Sequence, residues 1–263
     1  MAALAGCVVC GFAWGYAVRA RGDWPRLRQF HRGDYAVVWD ALSTTANRAA
    51  LAATGDPNEE ALRATGREVA ERIRRFVSID PNDTLLEIGC GVGRIGWALA
   101  PLCREWIGCD ISRRMLHHAQ QRLVQFDNVR FRQLSQPKLE AIADTSVDLV
   151  YCTNMLPHLD EMERWQYVRE AHRVLRPGGS LYVDTIALDS EEGWRTLANN
   201  HAQRQLGVDP PYTPLPSTVE ELTAYFRNAG FEGIRTELQG SLLIATAAKN
   251  GTRAYAAAGE AAT

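Results

Sequence analysis

The stretch Leu85-Leu86-Glu87-Ile88-Gly89-Cys90-Gly91-Val92-Gly93-Arg94 decides the fold. Thr84 to Ile88 is a short apolar run broken by a single acid, and it reads as a buried strand. Arg94 to Leu102 has helical spacing. Between them lie glycines at alternate positions, which permit a tight turn and let a ligand approach the backbone closely.

Working outward, strands and helices alternate. Further strands are expected at Trp106 to Cys109, Val129 to Gln133, Val147 to Cys152 and Ser180 to Thr185. The intervening helices are Arg113 to Val124 and a segment running through Leu175. That second helix opens on an Asp160/Glu163 capping box and is stopped by Arg176-Pro177-Gly178-Gly179. Asp56, followed by Pro57 and Glu59, reads as the N-cap of a helix carrying Leu62, Val69, Ile73 and Phe76. Ser217 with Glu220 caps a later helix that ends at Gly230. Ile234 to Leu238 and Leu242 to Ala248, separated by Gly240, should pair as a hairpin. The pattern predicts an α/β fold: an open, doubly wound, seven-stranded, mostly parallel sheet with a C-terminal antiparallel hairpin and a helical N-terminal cap.

The 263 residues are 46% hydrophobic and 23% charged, enough to bury a core and too apolar for a disordered chain. A net charge of -2 supplies no general drive toward nucleic acid. Six cysteines in this length do not make a disulfide scaffold. No His, Asp or Glu cluster has metal-ligand spacing, so no metal is expected.

Asp110 closes the second strand, where a carboxylate can accept from both ribose hydroxyls of a nucleoside ligand. Two readings of the glycines compete. Gly91-x-Gly93-x-x-Gly96 literally matches a dinucleotide pattern and would make the chain a nicotinamide-dependent oxidoreductase. The turn, however, starts at Gly89, and Glu87 at the strand end would repel a pyrophosphate while suiting a cation. S-adenosylmethionine, a nucleoside with a sulfonium and an amino group and no phosphate, meets that requirement.

At these residues the chain resembles the class I S-adenosylmethionine-dependent methyltransferases of small-molecule type, over roughly Glu60 to Lys249. Glu87 to Gly93 is similar to the family's acidic-x-Gly-x-Gly-x-Gly signature, and Gly108 to Ser112 to its second-strand motif. Ser146 to Val150, Arg173 to Gly179, and Ala229-Gly230-Phe231 follow in the family's order. The resemblance implies a Rossmann-like methyltransferase domain over 56–249, with a substrate-side insertion at 185–217. Before it lie an N-terminal segment and cap (1–55), and after it a tail (250–263). It further implies that the backbone of Gly89, Cys90 and Gly91, with Gly93 completing the turn, lines the methionine part of the cofactor. Glu87 would orient the amino group, Asp110 hold the ribose, and Ile111 and Met115 pack near adenine. Asn154 and Met155 would lie beside the cofactor. Leu134 and Ser135 stand where the family often has Gly-Asp, so adenine recognition would pass to the Ser135 hydroxyl, a backbone group or Gln136.

Methyl transfer asks the protein for alignment and water exclusion, and for a base when the acceptor carries a proton. His158, just beyond the fourth strand, is the candidate base; the alternative is that it packs under a lid or caps the next helix. Tyr35 and Trp39, four apart on an expected helix, and Trp194 in the insertion are candidates for a substrate pocket. The expected partner is a small-molecule acceptor in a cytoplasmic chain, and a non-catalytic cofactor-binding protein is the remaining alternative. Met1 to Val18 carry no charge before Arg19 and Arg21, and are read as a packed or frayed helix in preference to a membrane anchor.

Overall fold

The computed structural model describes residues 33–206 and 213–250. The expectations for 1–18 and for the tail beyond Asn250 lie outside the described residues. Helices α1 (Tyr35–Leu42) and α2 (Ala46–Thr54) form the cap, and α3 (Glu59–Phe76) leads into the sheet. Then follow β1 (Thr84–Ile88), α4 (Arg94–Leu99), β2 (Glu105–Asp110), α5 (Arg113–Arg122), β3 (Val129–Gln133) and β4 (Val147–Thr153). The chain continues through α6 (Glu161–Val174), β5 (Leu175–Ile186), α7 (Glu191–Gln205), α8 (Val219–Ala229), β6 (Phe231–Gln239) and β7 (Leu242–Lys249).

The seven strands are ordered β3-β2-β1-β4-β5-β7-β6, and β7 runs antiparallel to both β5 and β6. The order reverses between β1 and β4. Ligands of open α/β sheets collect at such a reversal, beyond the carboxyl ends of the strands. Alternate residues of β1 serve opposite faces. Leu85 packs with α3 and α4 through Val69, Ile73, Ile95 and Leu99, whereas Leu86 and Ile88 pack with α6 and α8 through Val168, Val174, Leu222 and Phe226. Among the described residues, no helix is long and apolar enough to cross a membrane.

The Asp160/Glu163 capping box forms as expected. Three local expectations are corrected. The helix-stopping Arg-Pro-Gly-Gly does not precede β5 but lies inside it. Val147 pairs with Leu175 and Leu149 with Ser180, so residues 176–179 bulge out, and Arg176 is held there by an ion pair with Asp148. The N-cap of α3 is Asn58, not Asp56, because the Asp56 carboxylate is already engaged by the Asn58 N–H at 2.8 Å. The N-cap of α8 is Thr218, which accepts from Glu221 N, because the Ser217 hydroxyl accepts instead from the buried Arg164.

Arg164 is 2% exposed and fastens the turn that follows β4. Its Nε donates to Leu156 O at 2.9 Å, its Nη1 to Ser217 and Glu221, and its Nη2 to Leu215 O at 2.8 Å. Leu215 N in turn donates to Pro157 O at 2.7 Å.

Replacing Gly108 by Ala would place a Cβ 2.3 Å from Trp106 Cη2 and 2.9 Å from Cys90 Sγ. The expected outcome in urea unfolding is a loss of about 1–3 kcal/mol, the usual cost of overpacking a dense core.

Candidate active site

One cavity, partly open to solvent, lies at the strand reversal. Its floor is the loop from β1 to α4. Gly91 has φ +51°, a backbone shape that glycine adopts without strain, and a Cβ there would meet nothing within 4 Å. Four of the loop N–H groups are already used: Gly89 and Cys90 both donate to Cys109 O (2.8 and 2.9 Å), Gly91 to Asp110 Oδ2 (2.8 Å) and Gly93 to Cys90 O (2.9 Å). A pyrophosphate cradle needs such N–H groups aimed at the ligand. This geometry therefore works against the dinucleotide reading. Gly96, its third glycine, answers instead to Trp106, whose ring lies 2.4 Å from where a Cβ would be.

Glu87 from β1 and Asp110 from β2 both line this cavity, and both are buried. Burial pushes the Glu87 carboxyl up to about 8, with the Asp110 charge adding to the rise; the Tyr151 hydrogen bond and the Arg94 charge pull the other way. Burial likewise pushes Asp110 up to about 6 against three backbone hydrogen bonds, from Ser112, Gly91 and Ile111. Two carboxyls short of solvation and facing one space suit a cationic ligand. Among the described residues lining the cavity, Arg94 is the only lysine or arginine.

The cap closes one side. Asp40 accepts from Ser112 Oγ at 2.5 Å and from Arg114 N at 3.1 Å, while Ser112 N donates to Asp110 Oδ1 at 2.8 Å. Tyr35 donates to Glu163 of α6, tying the cap across to the far wall. Trp39 meets the His158 ring edge-on, centroids 5.1 Å apart. His158 lies in the short 3-10 turn Leu156–His158, which Arg164 and Leu215 brace from behind.

Of the residues singled out from sequence, Glu87, Gly89, Cys90, Gly91, Asp110, Ile111, Met115, Leu134, Asn154, Met155, His158, Tyr35 and Trp39 line this one cavity. Three do not. Gly93 sits behind the loop, where a Cβ would strike Leu123 at 2.5 Å, so its smallness serves packing. Ser135 is exposed, and Gln136 donates to Glu140; neither reaches the cavity, and Leu134 alone represents this segment there. Trp194 is 64% exposed, because α7 turns Glu192, Gly193, Thr196 and Asn200 inward and leaves Trp194 outside. Sequence reasoning missed Arg94, Thr153, Leu159 and Tyr167. Arg94 directly follows the glycine loop, and Tyr167 lies one helical turn beyond Glu163, so spacing could have flagged both. Among the described residues, no group of three or more His, Cys, Asp or Glu could hold a metal ion.

Residues 85–179 match the family described as methyltransferase domain. The chain is 28% identical over 182 residues to 27-O-demethylrifamycin SV methyltransferase of Amycolatopsis mediterranei, covering 67% of this chain and 64% of that protein. It is 33% identical over 129 residues to thiol S-methyltransferase TMT1A of Homo sapiens, covering 47% and 50% respectively. The chain thus spans about half to two thirds of the length of these relatives. Among solved structures, a SAM-dependent methyltransferase of Thermotoga maritima shares the fold, with a TM-score of 0.54 at 22% identity, covering 73% of this chain and 94% of that one.

A carboxyl whose pKa rises on folding keeps a proton that the unfolded chain has lost. Its contribution to stability is present below the unfolded value and fades as pH climbs through the folded one. For Glu87 that window runs from 4.5 to about 8. At pH 9 the ligand-free Glu87→Gln variant should therefore be more stable than the parent by roughly 2–5 kcal/mol, and at pH 4 nearly equal, as read by urea unfolding at both pH values.

Proposed function

Because the chain belongs to the class I S-adenosylmethionine-dependent methyltransferase family, we propose that it moves a methyl group from S-adenosylmethionine to a small-molecule acceptor. The observation that carries this reading is the pair Glu87 and Asp110, two buried carboxyls facing one cavity whose floor has four of its N–H groups bonded within the protein. Such a site suits a nucleoside that bears positive charge and no phosphate.

The residues fit that ligand. Asp110 accepts from the backbone of Gly91, Ser112 and Ile111, and a carboxylate with about four lone-pair sites keeps one for a ribose hydroxyl. Glu87 receives the ammonium group, and Arg94 is the cation at hand for the adjoining carboxylate. Ile111, Met115 and Leu134 supply apolar contact for the base. When bound, the cofactor would supply a methyl carbon already activated by a sulfonium, so the chemistry left to the protein is alignment, exclusion of water and management of one proton.

Tyr35, Trp39, His158 and Leu159 wall the cavity and offer aromatic and apolar surface to an acceptor. Of these four, His158 carries the side chain suited to act as a general base. Its turn is fastened by Arg164 and its ring rests against Trp39, which together hold the imidazole in one place. The named relatives methylate oxygen or sulfur, acceptors that carry a proton to be removed.

Two measurements test the reading. In calorimetric titration the protein should bind S-adenosylhomocysteine, and Asp110→Ala should weaken that binding roughly 10- to 100-fold, the worth of hydrogen bonds to a charged group. Binding of a dinucleotide in preference would contradict the proposal. In a screen with methyl-labelled cofactor against a metabolite extract, products identified by mass should appear. For the acceptor so found, His158→Ala should lower kcat by about 10²-fold or more and leave cofactor affinity unchanged.

A further inference from the structure

Behind Glu87 stand two fully buried aromatic side chains, Tyr151 and Trp106, neither of which lines the cavity. Strand pairing puts them there. Glu87 is in register with Tyr151 across β1 and β4, and with Gly108 across β1 and β2. Trp106, two residues before Gly108, shares the sheet face that packs on α3 and α4. Trp106 Nε1 lies 2.7 Å from the Tyr151 hydroxyl, and that hydroxyl lies 2.8 Å from Glu87 Oε2. The direction of this chain follows from chemistry. An indole N–H only donates, so the phenol oxygen accepts from Trp106 and gives its own proton to Glu87.

The surroundings are shaped to permit this. Side chains are absent at Gly96 and Gly108, where Cβ atoms would lie 2.4 and 2.3 Å from the indole. Phenylalanine would fill the space of Tyr151 without burying a hydroxyl that needs partners. Both polar hydrogens of the pair are directed, through one another, at a single carboxyl oxygen.

We propose that Tyr151, oriented by Trp106, is the positioning residue for Glu87: it holds Oε2 and commits Oε1 to the cavity, and so fixes where the ammonium group of the cofactor is received. This rests on the cofactor assignment above and deepens it. Tyr151 touches neither cofactor nor acceptor on this account; its effect passes entirely through Glu87.

Two ligands separate this role from a merely structural one. S-adenosylhomocysteine carries the amino-acid group, and 5′-methylthioadenosine keeps the nucleoside and the thioether but lacks that group. In calorimetric titration, Tyr151→Phe should weaken S-adenosylhomocysteine roughly tenfold and leave methylthioadenosine unchanged. Trp106→Phe, which keeps the phenol but releases it, should shift the same ligand in the same direction by a smaller factor, and it carries the test if Tyr151→Phe does not fold. Equal weakening of both ligands, or unchanged affinity for S-adenosylhomocysteine, would overturn the proposal. Wild-type protein that binds neither ligand would overturn the cofactor assignment itself, and the proposal with it.

Discussion

Glu87 and Asp110 are ionisable groups set where the medium penalises charge. Desolvation outweighs every hydrogen bond they receive, and it raises one carboxyl to about 8 and the other to about 6. A fold selected for stability alone would fill these positions with apolar side chains or pair each acid with a base. Among the described residues lining the cavity, Arg94 is the single lysine or arginine. A ligand that brings positive charge to these two carboxyls gains Coulomb energy in a low-dielectric space. The internal hydrogen bonds of the glycine loop reinforce this choice, because a floor whose N–H groups point inward cannot attract an anion as strongly as a free one.

The cap contributes to the same effect. Asp40 reaches Ser112, whose backbone N–H is held by Asp110, so the first cap helix is joined to the carboxyl that it helps to shield. Tyr35 bonds to Glu163 across the cavity, and Trp39 covers one edge of His158. Small residues, Ala49, Ala50 and Ala52 of α2, let these helices lie close against Val92 in the loop and Met115 of α5. The carboxyl-lined wall, the aromatic wall and the cap are therefore contiguous, so the cap can shield from water the same space that the two carboxyls face.

Much of this was legible in the chain because it is local. A strand, a glycine turn and a helix lie within adjacent residues, and an acid at the end of the next strand falls beside the first by the rules of parallel pairing. What escaped depends on contacts between distant segments. Tyr151 and Trp106 reach Glu87 only through the register of three strands, which no spacing in the sequence displays. The caps of α3 and α8 moved by one or two residues because the expected acceptors, Asp56 and Ser217, were occupied elsewhere, one by a local turn and the other by Arg164. Trp194 was chosen for its aromatic character, but the inward face of α7 is set by its close approach to Ala187, where a Cβ at Gly193 would lie 1.9 Å from the carbonyl oxygen. Ser135 stays outside for a similar reason: of residues 134–136, only Leu134 is buried.

The most direct test of the central claim is a count of protons released on binding. S-adenosylmethionine would be titrated calorimetrically at pH 7 in two buffers of different ionisation heat, into the parent protein and Glu87→Gln. If a cation is received by a carboxyl held protonated by burial, binding to the parent should release on the order of one proton, and the variant should lose that release. Binding to the parent that releases no proton, with affinity flat from pH 6 to pH 9, would contradict the account.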